Sequence, residues 1–146
     1  MSNKNHRFVA IIDDELDIVE LFYDALTGIN GIALFKFTNP MLAIEHIKLN
    51  KNAYVLIISD LRMPGLNGID LIKSVKTLNQ NIRTVLMTAF ELDDNLFEEY
   101  TKNEIINGFI QKPIKLNTLL EEANKQIDAF NLGLTRRKRT SRPELL

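Results

Sequence analysis

AYVLIISDLRMPGLNG, residues Ala53 to Gly68, is the stretch on which the reading of the chain turns. Its first seven residues, 53–59, are apolar or small and too few for a helix of ordinary length. They read as a strand buried on both faces, the kind found in the middle of a parallel sheet. The run ends in an acid, Asp60, and then breaks into a loop carrying Pro64, Gly65 and Gly68. A strand covered on both faces needs helices above and below it, so the flanking sequence should alternate between the two kinds of element.

It does. RFVAII (7–12) reads as a strand, and residues 15–27 place Leu16, Val19, Leu21, Phe22 and Leu26 at helical spacing. IALFKF (32–37) reads as the next strand. Asn39-Pro40 then offers an N-cap followed by proline at the first helical position, opening a helix to about Leu49. Helical periodicity resumes from Ile69 to Leu78. RTVLMT (83–88) is a strand, 92–103 a weaker acidic helix, and IINGFIQ (105–111) a fifth strand with Gly108 inside it. Lys112-Pro113 interrupts, and a last helix runs from about Leu116 to Ala129. No segment repeats another. Five strands alternating with five helices predict an α/β fold, a doubly wound five-stranded parallel sheet with helices on both faces. Right-handed crossovers leave few topologies. In such sheets ligands bind beyond the carboxyl ends of the strands, so the residues at those ends are the ones to examine.

Composition bounds the remaining possibilities. A chain of 146 residues with 45% hydrophobic and 25% charged content can bury a proper core. Absence of cysteine excludes a disulfide framework, a thiolate metal site and a cysteine nucleophile, and fits a cytoplasmic protein. The apolar stretch near the N-terminus, Phe8 to Ile12, is too short for a signal peptide, and no run approaches a membrane span. The net charge of −1 hides an asymmetry. Residues 136–146 hold five basic residues (Arg136, Arg137, Lys138, Arg139, Arg142) and one acid, whereas the rest holds 13 basic and 18 acidic.

The strand ends form a coherent set. The first strand ends in Asp13, Asp14 and Glu15, the third in Asp60 and the fourth in Thr88; the fifth is followed by Lys112. Clustered carboxylates suit a hard divalent cation, and Mg²⁺ is commonly held by one or two carboxylates with waters and phosphate oxygens. Lysine and a threonine hydroxyl suit a phosphoryl group. A carboxylate can itself take up a phosphoryl group as an acyl phosphate. Taken singly, each residue has a plainer reading: Asp13 and Asp14 as caps of the first helix, Asp60 as a turn residue, Thr88 as a strand residue, Lys112 as a solvated lysine and Phe109 as core. Their joint position at one sheet edge favours the chemical reading.

Together, DDE (13–15), D-L-R-M-P-G-L-N-G (60–68), T-A (88–89) and K-P (112–113) closely resemble the receiver domain of two-component response regulators. The resemblance covers roughly residues 6–130. It implies a flavodoxin-like receiver with strand order 2-1-3-4-5. By that resemblance Asp60 is the phosphoacceptor. Asp13 and Asp14 hold Mg²⁺ together with Asp60 and the backbone carbonyl of Arg62. Thr88 is the switch hydroxyl, Phe109 the switch aromatic, and Lys112 the partner of a phosphoryl oxygen, followed by Pro113 in a cis Lys-Pro bond. The phosphoryl group would come from a phosphohistidine of a sensor histidine kinase or phosphotransfer protein, and the switched surface would bind a downstream protein target. His6 and His46 lie away from strand ends and read as surface or structural residues. Homodimers are common in the family.

Two positions bear on the lifetime of the phosphoryl group. Arg62 and Phe90, each two residues after a motif residue, flank the expected attacking water. A long Arg and a bulky Phe screening that water predict slow self-dephosphorylation. Phe90→Ala is expected to shorten the lifetime, followed by loss of the phosphoryl mass with time. Phe109 lacks the tyrosine hydroxyl often found at its position, so burial of an apolar ring would be the readout.

The sequence therefore predicts a receiver domain over 6–130 and a basic, flexible C-terminal tail over 131–146. It predicts a stand-alone response regulator without enzymatic turnover, since no room remains for an output domain after residue 130. The tail reads as a solvated extension, with electrostatic contact to nucleic acid, a membrane or an acidic partner as the functional alternative. Two other functions stay open: a receiver-like interaction module that needs no phosphorylation, and a Mg²⁺ phosphohydrolase with an aspartate nucleophile. The second lacks a visible further acid/base group and a substrate cap.

Overall fold

In a computed structural model, the structure describes the backbone of residues 7–89 and 94–140, with side chains described for 7–89 and 98–133. Five strands alternate with five helices: β1 (Phe8–Ile12), α1 (Leu16–Leu26), β2 (Ala33–Phe37), α2 (Pro40–Leu49), β3 (Tyr54–Asp60), α3 (Gly68–Leu78), β4 (Arg83–Thr88), α4 (Asp94–Lys102), β5 (Gly108–Gln111) and α5 (Leu116–Thr140). The strands form one parallel sheet in the order β2-β1-β3-β4-β5. As its unbroken apolar run demands, β3 is central, and all seven of its residues are buried. Among the described residues, no helix is long and apolar enough to cross a membrane.

Alternation along the strands divides the core between the two sheet faces. Val9 and Ile11 of β1 join Val19, Phe22 and Leu26 of α1 and Leu119, Ala123 and Ile127 of α5. The intervening Ala10 and Ile12 join Ala43 and Ile47 of α2 and Leu71, Ile72 and Val75 of α3. Helix starts follow local chemistry. Asn39 Oδ1 accepts from the Met41 N–H at 2.9 Å with Pro40 at the first helical position, and Asn67 Oδ1 accepts from the Asp70 N–H at 2.9 Å.

Two boundaries differ from the sequence reading by more than two residues. β5 starts at Gly108, because the N–H groups of Ile105 and Ile106 both turn back to the Tyr100 carbonyl, at 2.9 and 3.2 Å, and close α4 instead of joining the sheet. Helix α5 continues past Ala129 to Thr140, through the beginning of the basic run. The remaining basic residue, Arg142, lies outside the described residues, as do His6 and Phe90.

At the amino edge of the sheet, polar groups do the joining. Lys76 Nζ donates to the Ile82 carbonyl at 2.7 Å and to Asn107 Oδ1 at 2.9 Å, tying α3 to the starts of β4 and β5. Arg83 Nε donates to Gln126 Oε1 at 2.9 Å, and Gln126 Nε2 reaches the Asn107 carbonyl at 3.2 Å, tying in α5. His46 proves structural, as its sequence position suggested. Its Nδ1 lies 2.8 Å from the hydroxyl of Tyr54, a buried residue, and its ring packs among Phe8, Phe35 and Phe37. Tyr54→Phe leaves that imidazole nitrogen without its partner and is expected to cost about 1 kcal/mol in urea unfolding.

Candidate functional site

The strand ends converge as the parallel sheet requires. Asp13 follows β1 directly and is wholly buried, while its neighbour Asp14 is exposed. Asp60 is the last residue of β3 and is 7% exposed; Thr88 is the last residue of β4 and is 2% exposed. Lys112 stands one residue beyond β5, and its backbone N–H donates to the Thr88 carbonyl at 2.7 Å, which fixes the chain where its side chain departs. The Lys112-Pro113 bond is cis. From there Lys112 Nζ reaches Asp60 Oδ1 at 2.9 Å and Asp13 Oδ2 at 3.5 Å. One lysine thus bridges two carboxylates that come from different strands.

Asp13 fulfils the plainer of its two readings and also brings a carboxylate oxygen to the acidic cluster. Its Oδ1 accepts the Glu15 N–H at 2.9 Å and so serves the start of α1, where Glu15 itself makes no side-chain cap. Its Oδ2 is buried, 3.5 Å from the Lys112 ammonium, and accepts no hydrogen bond. Burial pushes the Asp13 carboxyl above its ordinary range. The Glu15 N–H opposes this, Asp60 adds repulsion, Lys112 opposes it, and Asp14 adds repulsion again. Burial acts on Lys112 in the other direction, pulling its ammonium down. The hydrogen bond and charge of Asp60, with the charge of Asp13, outweigh burial and hold Lys112 above its ordinary range.

Carboxylate oxygens of Asp13, Asp14 and Asp60 lie within 4.8 Å of one another. Three clustered acids, one presenting a buried oxygen with no donor, fit a hard divalent cation: such an ion supplies positive charge where hydrogen-bond donors are lacking. The cost of leaving the cluster without a cation has a definite pH dependence. A carboxyl whose folded value stands above its unfolded value of 3.8 binds more protons when folded. Its favourable contribution is therefore present below that value and is lost as pH rises through the folded value. Above that folded value the ionised Asp13 disfavours folding. Asp13→Asn is expected to raise the melting temperature in the absence of divalent cations. Adding Mg²⁺ is expected to raise that of the unsubstituted protein more than that of the variant, both read by thermal unfolding.

Two residues at the site have roles that the sequence did not reveal. Ser59 is wholly buried and its hydroxyl donates to the Asp60 carbonyl oxygen at 3.0 Å. Gly68, the first residue of α3, packs so closely that a Cβ would overlap that same carbonyl oxygen. Its N–H closes the loop by donating to the Leu61 carbonyl at 2.8 Å. Serine at a strand end carries no signal of its own, and Gly68 reads equally well as a loop glycine. Arg62 is exposed in this loop, and Phe109 is half-buried in β5, packed against the α2/α3 side of the core.

A family model described as the response regulator receiver domain matches residues 9–124. The chain is 27% identical over 120 residues to sporulation initiation phosphotransferase F of Bacillus subtilis, an alignment covering 82% of this chain and 92% of that protein. It is 25% identical over 125 residues to the chemotaxis protein CheY-3 of Vibrio cholerae, covering 84% and 92%. Against the transcriptional regulatory protein ZraR of Klebsiella oxytoca it is 27% identical and spans 26% of that longer chain. Among solved structures, a receiver domain protein from Clostridium thermocellum superposes with a TM-score of 0.74 at 21% identity, covering 86% of this chain and 98% of that one. With this sheet order, this cluster at the strand ends and a family match over most of its length, the chain belongs to the response regulator receiver domain family.

Proposed function

We propose that this domain is a switch in two-component signalling, set by transfer of a phosphoryl group from a phosphohistidine to Asp60. The observation that carries this reading is the bridging lysine. Lys112 holds Asp60 Oδ1 at 2.9 Å at the edge of the sheet, beside an acid whose buried oxygen has no donor. That arrangement is poor for stability alone and well suited to a carboxylate nucleophile that must meet an anionic donor.

An Asp60 oxygen attacks phosphorus, the bond from phosphorus to the imidazole nitrogen of the partner breaks, and the electron pair stays with that imidazole. Lys112, already beside Asp60, neutralises charge on the transferred group. The Thr88 hydroxyl, at the end of β4, donates to a phosphoryl oxygen in the phosphorylated state. Asp13, Asp14 and Asp60, with the backbone carbonyl of Arg62, would hold Mg²⁺, which lowers the repulsion between this acidic pocket and the incoming phosphoryl group. Phosphorylation then draws Thr88 inward and lets Phe109 bury further, shifting the population of a surface that binds a partner. The Bacillus relative is named a phosphotransferase. Onward transfer from Asp60 to a second phosphotransfer protein is the matching output here, alongside direct protein contact.

Stoichiometry separates this reading from its rivals. Incubated with excess small acyl phosphate and Mg²⁺, the protein is expected to take up one phosphoryl group per chain and stop. Sustained release of phosphate from aryl phosphate esters would support the phosphohydrolase instead. No uptake, with partner binding intact, would support the phosphorylation-independent module.

A further inference from the structure

The sequence contains three Asn-Gly pairs, Asn30-Gly31, Asn67-Gly68 and Asn107-Gly108. Asparagine before glycine is prone to lose its side-chain amide. The glycine backbone nitrogen, on giving up its proton, attacks the asparagine Cγ. A new N–C bond forms, the bond from Cγ to Nδ2 breaks, and ammonia leaves with the proton. The resulting succinimide is opened by water at either carbonyl, giving aspartate or isoaspartate. The net change exchanges ammonia for water and adds one negative charge. Three things must hold in the folded protein: a side chain free to turn, a backbone nitrogen free of other partners, and space for the ring.

The fold withholds these conditions from two of the three pairs. Asn67 caps α3 through its Oδ1, which accepts the Asp70 N–H at 2.9 Å. The Gly68 N–H is committed to the Leu61 carbonyl at 2.8 Å, and the Asp60 carbonyl and Leu86 fill the space beside its Cα. Asn107 Oδ1 accepts from the Thr84 N–H at 2.9 Å and from Lys76 Nζ at 2.9 Å. Gly108 is aligned with Val85 in the β4–β5 pair, with Glu122 and Gln126 of α5 closing over it.

Asn30 differs on every count. It is exposed in the turn between α1 and β2. Among the described residues, neither its side-chain amide nor the Gly31 N–H has a hydrogen-bond partner. Gly31 has φ of +82°, a left-handed conformation natural to glycine, and nothing lies within 4 Å of the place a Cβ would occupy. We infer that Asn30 is a spontaneous deamidation site of the folded domain, and that Asn67 and Asn107 are protected by the hydrogen bonds that build α3 and anchor β5. The new carboxylate would arise on the rim of the groove between the α1–β2 turn and α5, which Arg7 and Asp128 also line, at the edge of the sheet opposite Asp60.

Peptide mapping by mass spectrometry tests this, on the intact folded protein held at mildly alkaline pH and on the same protein in denaturant. In the folded protein the peptide containing Asn30 is expected to convert first, giving both aspartate and isoaspartate. The other two are expected to lag by at least about tenfold, because each must open locally before it can cyclise. In denaturant the three are expected to convert at comparable rates. Asn30→Gln is expected to abolish the fast conversion. Asn67 or Asn107 keeping pace with Asn30 in the folded protein would overturn the inference. So would an Asn30 that converts in denaturant but not in the folded protein.

Discussion

Asp60→Ala is expected to take up no phosphoryl group from a small acyl phosphate, where the unsubstituted protein is expected to take up one. On the proposed function the loss is complete, because the nucleophile itself is removed. Asp13, the other buried acid of the cluster, already commits Oδ1 to the Glu15 N–H. Stability is expected to stay within about 1 kcal/mol, a modest change for a substitution at a partly repulsive site. The variant loses the 2.9 Å contact to Lys112, but it also relieves the repulsion that Asp60 exerts on Asp13, and Lys112 keeps Asp13 as a partner at 3.5 Å. Intact mass measures the uptake, and urea unfolding shows that the variant is folded when it fails.

The second large effect concerns Gly68, which contributes no chemistry. An added Cβ would overlap the Asp60 carbonyl oxygen and lie 2.9 Å from Leu86 Cδ1 and 3.0 Å from the Asp60 carbonyl carbon. Two of these three obstacles are backbone of the strand that ends in Asp60, so a side-chain rotation cannot relieve them. Gly68→Ala is therefore expected to cost about 2–3 kcal/mol, the upper part of the range for overpacking. Moving α3 away from β3 also disturbs Asp60, and a displacement near 1 Å is expected to slow uptake by roughly a hundredfold. Gly28→Ala is the control. Nothing lies within 4 Å of its Cβ position and its φ is not left-handed, so it is expected to fall within about 0.5 kcal/mol of the parent. Urea unfolding and the rate of phosphoryl uptake, measured on both variants, separate the two cases.

What could be read from the sequence follows from which interactions are local. Strand β3 announced itself because burial on both faces requires an unbroken apolar run, and its central place follows from the same fact. The acids at the strand ends were legible for the opposite reason: they break such runs. Invisible, however, was the unequal fate of Asp13 and Asp14: Asp13 directly follows β1 and stays buried, while Asp14 falls in the bend that comes next and is exposed. The start of β5 was placed too early because Ile105 and Ile106 look like strand residues, while the Tyr100 carbonyl that claims their N–H groups belongs to the preceding helix. Past Ala129 the apolar periodicity fades, but Asn131 to Gly133 do not break α5. The clasp of Lys76, Asn107, Arg83 and Gln126 joins residues up to 43 positions apart and leaves no trace in any one segment. Close approach at Gly68 belongs with it: the partner is a backbone carbonyl, and backbone contacts have no sequence signature.

On the proposed reading, Asp13 and Asp14 follow β1 in order to hold a cation beside Asp60, the nucleophile at the end of β3. Intact mass of the unsubstituted protein after incubation with a small acyl phosphate, with Mg²⁺ and with a chelator in its place, tests it most directly. A gain of one phosphoryl group is expected with Mg²⁺, mapped to the peptide carrying Asp60, and little or none with the chelator. Equal uptake under both conditions, or a phosphoryl group mapped elsewhere, would contradict it.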